Sequence, residues 1–250
     1  MDVLHLVLLG AAALAAGGVN AIAGGGSLIS FPALLALGLP AVTASMTNTV
    51  AMCPGYFGAM AAQRRDLEGQ GRRALHLVPL SIAGSLAGAW ILMHTSERSF
   101  QLLVPFLLLF AGILLALQKR LRSWLVAHTG GGHSVLLATV PIGLCAIYGA
   151  YFGAGLGMMI LAIMGLVVDD TLNRMNALKQ LLTLLINVIA AIVFLFYGTI
   201  AWQAALVVAI GSLVGGYIGG AIASRVPEAV LRWIVVSVAF VASAIYFARL

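Results

Sequence analysis

Charge is what this sequence has least of: Asp, Glu, Lys and Arg make up 8% of its 250 residues. A soluble domain carries about 25%. With 62% hydrophobic residues and a mean hydropathy of +1.11, a water-soluble globule of this length would have a mostly apolar surface. Lipid is the solvent that fits. Cysteine is almost absent. Cys53 and Cys145 lie far apart in apolar stretches, which excludes a disulfide framework and a zinc motif and leaves two small buried side chains. The five histidines (His5, His76, His94, His128 and His133) sit near segment ends without metal-ligand spacing. No nucleophile–base pair, nucleotide loop or metal cluster is visible, so neither an enzyme nor a cofactor or metal is expected. Acidic residues are outnumbered seven to thirteen, for a net charge of +6. The basic residues sit in short loops without interleaved aromatics, so a nucleic-acid partner is not expected either. The opening MDVLHLVLLG lacks basic residues ahead of its apolar run and does not read as a signal peptide.

What the sequence has instead is a succession of apolar runs of about 20 residues, each enough to cross a bilayer. Eight long helices are predicted, over roughly 3–22, 41–63, 74–94, 99–117, 133–152, 171–197, 202–222 and 228–248. Two shorter ones, 27–38 and 155–168, follow glycine-rich breaks, GGVNAIAGGGSLISFP and YFGAGLG. An unbroken helix from Val3 to Leu39 would be about 55 Å long, beyond any bilayer, so Gly24-Gly25-Gly26 mark an interruption. Ser27 is placed to cap the short helix after it, and Pro32 to bend that helix.

Two halves share this plan. Setting Gly24 against Gly153 brings Asn48 near Asn176, the GxxxG pair Gly84 and Gly88 onto Gly215 and Gly219, and Glu97 onto Glu228. The expected fold class is therefore an all-α polytopic membrane protein of two pseudo-symmetric repeats, residues 1–118 and 133–250, joined by a linker at 119–132. Loop 63–73 holds four arginines and the linker holds Lys119, Arg120 and Arg122, so both are expected to be cytoplasmic, with extracytoplasmic termini. Counting the short helices as crossings inverts the halves and puts Arg225 and Arg232 inside as well. That leaves Arg98 and Arg249 outside; eight crossings would make the halves parallel and put Arg225 and Arg232 outside. Inversion is favoured.

Each break exposes the start of a short helix, where unpaired N–H groups and the helix dipole favour an anion. Gly24, Gly25, Gly26 and Ser27 in one half, and Gly153, Gly155 and Gly157 in the other, are the candidate cradle. The alternative is that these glycines only permit close packing. Asn176, Gln180, Thr183 and Asn187 line one face of a helix, with Lys179 beside it and Arg174 a turn earlier. Thr43, Ser45, Thr47, Asn48 and Thr49 populate the matching helix. Asn48, Asn176 and Lys179 are read as pathway residues, and the hydroxyls as glue between helices. Asp169 and Asp170 are candidates for proton coupling, or caps for the helix that follows.

The stretch GGVNAIAGGGSLISFPALLALGLPAVTASMTNTVA resembles the opening signature of the sulfite exporter TauE/SafE family, also called the 4-toluene sulfonate uptake permease family. The resemblance extends over essentially the whole chain, including the ALGLP turn and the glycine-rich helices of both halves. The second-half break departs from it, with Leu156 where the first half has Ser27. The resemblance implies two related membrane-embedded halves and transport of a small sulfur-containing anion, such as sulfite or an organosulfonate, in the cell inner membrane. The expected partners are that anion and membrane lipid, and a homo-oligomer is compatible with so apolar a surface. A secondary transporter, with export as the favoured direction, is the reading adopted. A passive anion channel, or an uptake permease for another small organic anion, is the alternative.

Overall fold

The computed structural model describes residues 2–129, 136–167, 170–223, 225 and 228–248. Asp169, His133 and Arg249, and the side chains of Lys119, Arg120, Arg122, His128, Glu228 and Arg232, lie outside that description. The described residues form ten α-helices and no strand. They are α1 (Val3–Ala23), α2 (Ser27–Ala36), α3 (Ala41–Ala62), α4 (Gly71–His94), α5 (Glu97–Thr129), α6 (Leu136–Tyr151), α7 (Leu156–Val167), α8 (Leu172–Tyr197), α9 (Trp202–Ile222) and α10 (Glu228–Phe247). A single 3-10 turn, Arg64–Leu67, joins α3 to α4.

Five helices, α1, α4, α5, α8 and α9, are long and apolar enough to span a membrane. α3 is as long, at 22 residues, but its Ser, Thr and Asn side chains lower its hydropathy. Trp90, Phe106, Phe196, Trp202 and Tyr217 are each more than half exposed on the outside of the bundle, a surface suited to lipid tails. α5 departs from expectation. Residues 119–129, read as linker, continue it to a total of 33 residues. The stretch QKRLRSWLVAHT contains neither glycine nor proline, so nothing in it stops a helix before Gly130.

Glycine sets how the helices pack. A methyl group on Gly215 would run into the Leu14 carbonyl of α1, and one on Gly219 would stand 2.6 Å from Gly18 O. On the other side of the molecule, methyl groups on Gly84 and Gly88 would strike the carbonyls of Gly143 and Ile147 on α6. α1 thus lies along α9, and α6 along α4, backbone on backbone. Lipid tails are as apolar as a leucine core, so such close approach is what holds membrane helices together. α3 packs on the other face of α9, where Gly216 meets the Gly55 carbonyl.

The order of contacts gives the directions. Gly10 meets Val207, Gly17 meets Ser212 and Gly18 meets Gly215, so α1 and α9 run parallel. α3 also runs parallel to α9, through Gly55–Ser212 and Gly58–Tyr217. α4 and α6 are parallel, through Gly84–Gly143 and Gly88–Ile147. α3 and α8 are antiparallel, with Gln63 on Asn176 at one end and Thr47 on Ala201 at the other. α5 and α10 are antiparallel too, with Ser243 Oγ donating to Pro105 O at 2.8 Å and, further along α5, Gly112 against Ala239.

The packing predicts an asymmetric response to alanine. Gly88→Ala forces α4 off α6, and overpacking of this kind costs about 1–3 kcal/mol. Gly71→Ala, in open space at the start of α4, is expected to be neutral. Thermal unfolding of the detergent-purified variants checks both; equal midpoints would show that the two helices separate freely.

Candidate functional site

α1 stops because Gly24 adopts a left-handed conformation (φ +78°), with its N–H closing on Asn20 O at 3.0 Å. The chain then turns back, and Gly26 seats against Ala16 and Asn20 of α1 with no room for a side chain. Gly26, not Ser27, is the residue preceding α2, and Ser27 makes no capping bond. Its side chain is buried, near the Tyr56 phenol on α3. The first bonds of α2 are Leu28 N–H to Gly25 O and Ile29 N–H to Gly26 O. The N–H groups of Gly25, Gly26 and Ser27 are therefore outside its ladder. The second break repeats the device with Gly153 (φ +80°) and Gly155 (φ +81°), leaving out Ala154, Gly155 and Gly157.

The two breaks touch. A Cβ on Gly24 would stand 2.9 Å from the Gly157 carbonyl carbon, and one on Gly157 would stand 3.0 Å from Gly24 Cα. The same position on Gly157 is 3.4 Å from the Lys179 Cδ. Gly25 presents its Cα to an apolar wall of Val235, Leu115 and Met158. Close packing thus explains Gly24, Gly26 and Gly157, and left-handed geometry explains Gly153 and Gly155.

The polar face of α8 meets the end of α1. Asn176 Nδ2 donates to Ala21 O at 3.1 Å and to Gln63 Oε1 at 3.0 Å. Gln180 Nε2 donates to Ala21 O at 2.8 Å, and Lys179 Nζ reaches Asn20 O at 3.5 Å. These donors sit at the C-terminal end of α1, where the dipole is negative; Asn20 O already takes the Gly24 N–H, and Ala21 O relies on the side chains of α8. Lys179 is 1% exposed and is the one buried charged side chain among the described residues. The lower part of the face closes on itself, Thr183 Oγ1 donating to Lys179 O and Asn187 Nδ2 to Thr183 O.

Asn48 belongs elsewhere. It accepts from Ser30 Oγ at 2.5 Å, pinning α2 to α3. Asn176 lies beside Gln63, fifteen residues further along α3, about 22 Å away at 1.5 Å per residue. One small anion cannot touch both asparagines, so the pairing suggested by the repeat does not form a shared site.

Asp170 sits in an ionic clasp. It pairs with Arg73 at the start of α4 and with Arg174 Nε at 3.0 Å, and it accepts the Thr171 N–H at 2.8 Å. Arg174 also donates to Glu68 O at 3.0 Å. Thr171 caps α8 itself, its Oγ1 accepting the Arg174 N–H at 3.4 Å. Partial desolvation pushes the Asp170 carboxyl up, and the bonds from Arg73, Thr171 and Arg174 outweigh it, so its pKa is held below the ordinary value. That is the environment of a fixed anion, not of a group that exchanges a proton near neutral pH.

Gln63 and Gln70 went unnoticed in the sequence, and Glu97 stood out there only as the repeat match of Glu228. Gln63 and Gln70 flank the arginine loop and are buried. Gln70 Nε2 donates to Asp66 O and Arg174 O. The Glu97 carboxylate accepts the N–H groups of Ala41 and Val42, so it caps α3 from 55 residues away. The arginine-rich neighbourhood was a signal for the glutamines. No local pattern marks Glu97.

Long apolar helices, two mid-chain breaks and a buried lysine at their crossing define a multi-pass membrane protein built around polar groups held within its helical bundle. The chain belongs to the sulfite exporter TauE/SafE family, whose model matches residues 9–246. It is 24% identical over 233 residues to the probable membrane transporter protein YfcA of Escherichia coli K12, covering 93% of this chain and 86% of that protein. A probable membrane transporter protein, ORF9, from a Sinorhizobium species is 27% identical over 214 residues, covering 86% of this chain and 81% of its own. A probable membrane transporter protein from Haemophilus influenzae is 26% identical over 230 residues, covering 90% and 88%. No solved structure matches the chain.

The clasp has a pH signature. A depressed carboxyl pKa contributes stability above the unfolded-state value and loses it as pH falls through the folded one. Asp170→Asn is expected to lower the thermal midpoint at pH 7, and the gap to the unaltered protein should close as pH drops below the aspartate range. A gap that persists in acid would show that Asp170 acts by shape alone.

Proposed function

We propose that the protein is a secondary carrier of a small sulfur-containing anion, such as sulfite or an organosulfonate, which binds at the crossing of the two helix breaks. The observation that carries this reading is the Lys179 side chain. It is a buried cation beside Gly157, where the starts of two short helices leave N–H groups outside their ladders. Oriented N–H groups, a converging helix dipole and an ammonium group together suit an oxyanion. Sulfur enters through the family, which is described as a sulfite exporter family. Export is the favoured direction on the same ground.

The reading includes an inverted repeat, with α1–α5 and α6–α10 as the two halves. Support comes from the packing: exchanging each helix for its counterpart five places on turns the α1–α9 pair into α6–α4, and α5–α10 into itself. It comes too from direction, since α1 and α3 run with α9 while α8 opposes α3. Rocking of one half against the other would expose the crossing to each side in turn. Loop 63–73 is assigned to the cytoplasm by its arginines. A single cysteine at position 68, in a variant lacking Cys53 and Cys145, should resist impermeant reagents in intact cells. Labelling there from outside would reverse the orientation.

Binding is tested by thermal shift of the purified protein against sulfite, sulfate, thiosulfate and organosulfonates, since a ligand of the native state raises the midpoint. Lys179→Gln keeps a donor for Asn20 O and removes the charge. Loss of one charge-assisted bond, about 1.5–3 kcal/mol, corresponds to roughly 10- to 150-fold weaker binding. Unchanged affinity in a folded variant would confine Lys179 to capping α1.

A further inference from the structure

Among the described residues, four buried side-chain polar atoms lack a hydrogen-bond partner, and three are amide oxygens in one neighbourhood: Gln70 Oε1, Asn176 Oδ1 and Gln180 Oε1. Their orientation is settled by their nitrogens. Gln70 Nε2 faces the carbonyls of Asp66 and Arg174, Asn176 Nδ2 faces Ala21 O and Gln63 Oε1, and Gln180 Nε2 faces Ala21 O. Turning any amide over would set oxygen against oxygen. The region therefore has acceptors to spare and too few donors. Buried acceptors in that state are costly, and of the three it is the oxygen-bearing Asn176 that lines a cavity.

A cavity of about 130 Å³ opens beside Asn176. It is lined by Gln63, Asp66, Asn173 and Asn176 and by Ala62, Gly220, Ala221 and Ala223, with Gln63 Nε2 donating to Gly220 O at 3.4 Å. α3 and α9 both end at its wall, so two negative dipole ends converge there. α8 begins nearby, but its positive end is taken up by Asp170 and Thr171. Asp66 has no ion pair among the described residues, although Arg64 and Arg65 precede it. Those two arginines are exposed and line a separate cavity with Tyr217.

We propose that this cavity binds one alkali cation, Na⁺, with the Asp66 carboxylate, the oxygens of Asn173 and Asn176 and the terminal carbonyls of α9 as its oxygen ligands. The ligand set carries a single formal charge, which matches a monovalent ion. A Ca²⁺ site draws on six to eight oxygens and usually several carboxylates. No group of three His, Cys, Asp or Glu occurs among the described residues. Helix C-termini and free carbonyls are a recurrent way of holding a transporter's Na⁺. Asn176 joins the cavity to the end of α1, and Lys179 follows one turn on, so the cation sits beside the proposed anion site. Its role as a coupling ion rests on the carrier reading; its binding does not.

The test uses the full-length purified protein, without any transported anion. Thermal unfolding is followed while NaCl replaces choline chloride at constant chloride and ionic strength. The midpoint is expected to rise saturably with Na⁺ and to stay flat in choline. Asp66→Asn and Asn173→Ala, neither of which touches α1, should each weaken the apparent Na⁺ affinity at least tenfold while matching the unaltered midpoint in choline. Broadening of the ²³Na resonance by the unaltered protein provides a measure independent of any variant. A flat Na⁺ series without line broadening, or a rise retained in both variants, would overturn the proposal and leave water in the cavity. Na⁺ binding in a protein that binds no anion would sink the carrier and spare this site; the reverse result would do the opposite.

Discussion

A helix that stops against the interior of a bundle leaves end carbonyls that must find partners on other helices, and the packing around the first break answers to that constraint. α1 stops at Gly24, and its last carbonyls are taken by Asn176, Lys179 and Gln180 of α8. The donors lie about 155 residues from the acceptors. The first break is therefore tolerable only when the later helices are in place. Gly24 against Gly157 brings the breaks close enough for α8 to reach across, and the glycine seams of α1 on α9 and α6 on α4 hold that approach.

The two ends of the bundle use carboxylates differently. At the α3 start, Glu97 satisfies backbone N–H groups directly, with Gln101 Nε2 bonded to the same side chain at 3.0 Å. At the α8 start, Thr171 does the capping and Asp170 is left for two arginines. One acid joins a helix to a neighbour's backbone; the other ties α4 to α8 by charge. The described acids that make these bonds lie near helix ends, where water can share the cost of their charge. Among the described residues, Lys179 alone carries charge into the interior.

Apolar run length and glycine breaks made most of the helices legible, because both follow from the bilayer's thickness and from glycine's left-handed conformation. The end of α5 was not legible in the same way, since a polar, basic stretch reads as loop although its residues are good helix formers. Ser27 reads as a cap by type, yet Gly26 precedes the helix and the Ser27 side chain is buried near Tyr56. The stripe from Asn176 to Asn187 was visible from its spacing, but its partners are backbone carbonyls, which have no identity in a sequence. Asn48 and Asn176 match in the sequence alignment and lie far apart, one at the contact of α2 with α3 and the other at the end of α1.

The exchange of helices has a consequence for how the chain is made. α1 is made long before the glycine groove that receives it, which lies on α9, some two hundred residues later. The groove of α4 likewise stays empty until α6 is made. The polar residues of α3 enter the bilayer before α9 and most of α8 exist to receive them. Until then the early helices must persist as separate, incompletely packed spans, in the regime where long sequence separation slows assembly. A ribosome pausing near residue 120 would leave a set of helices inserted in the membrane with their mating surfaces bare.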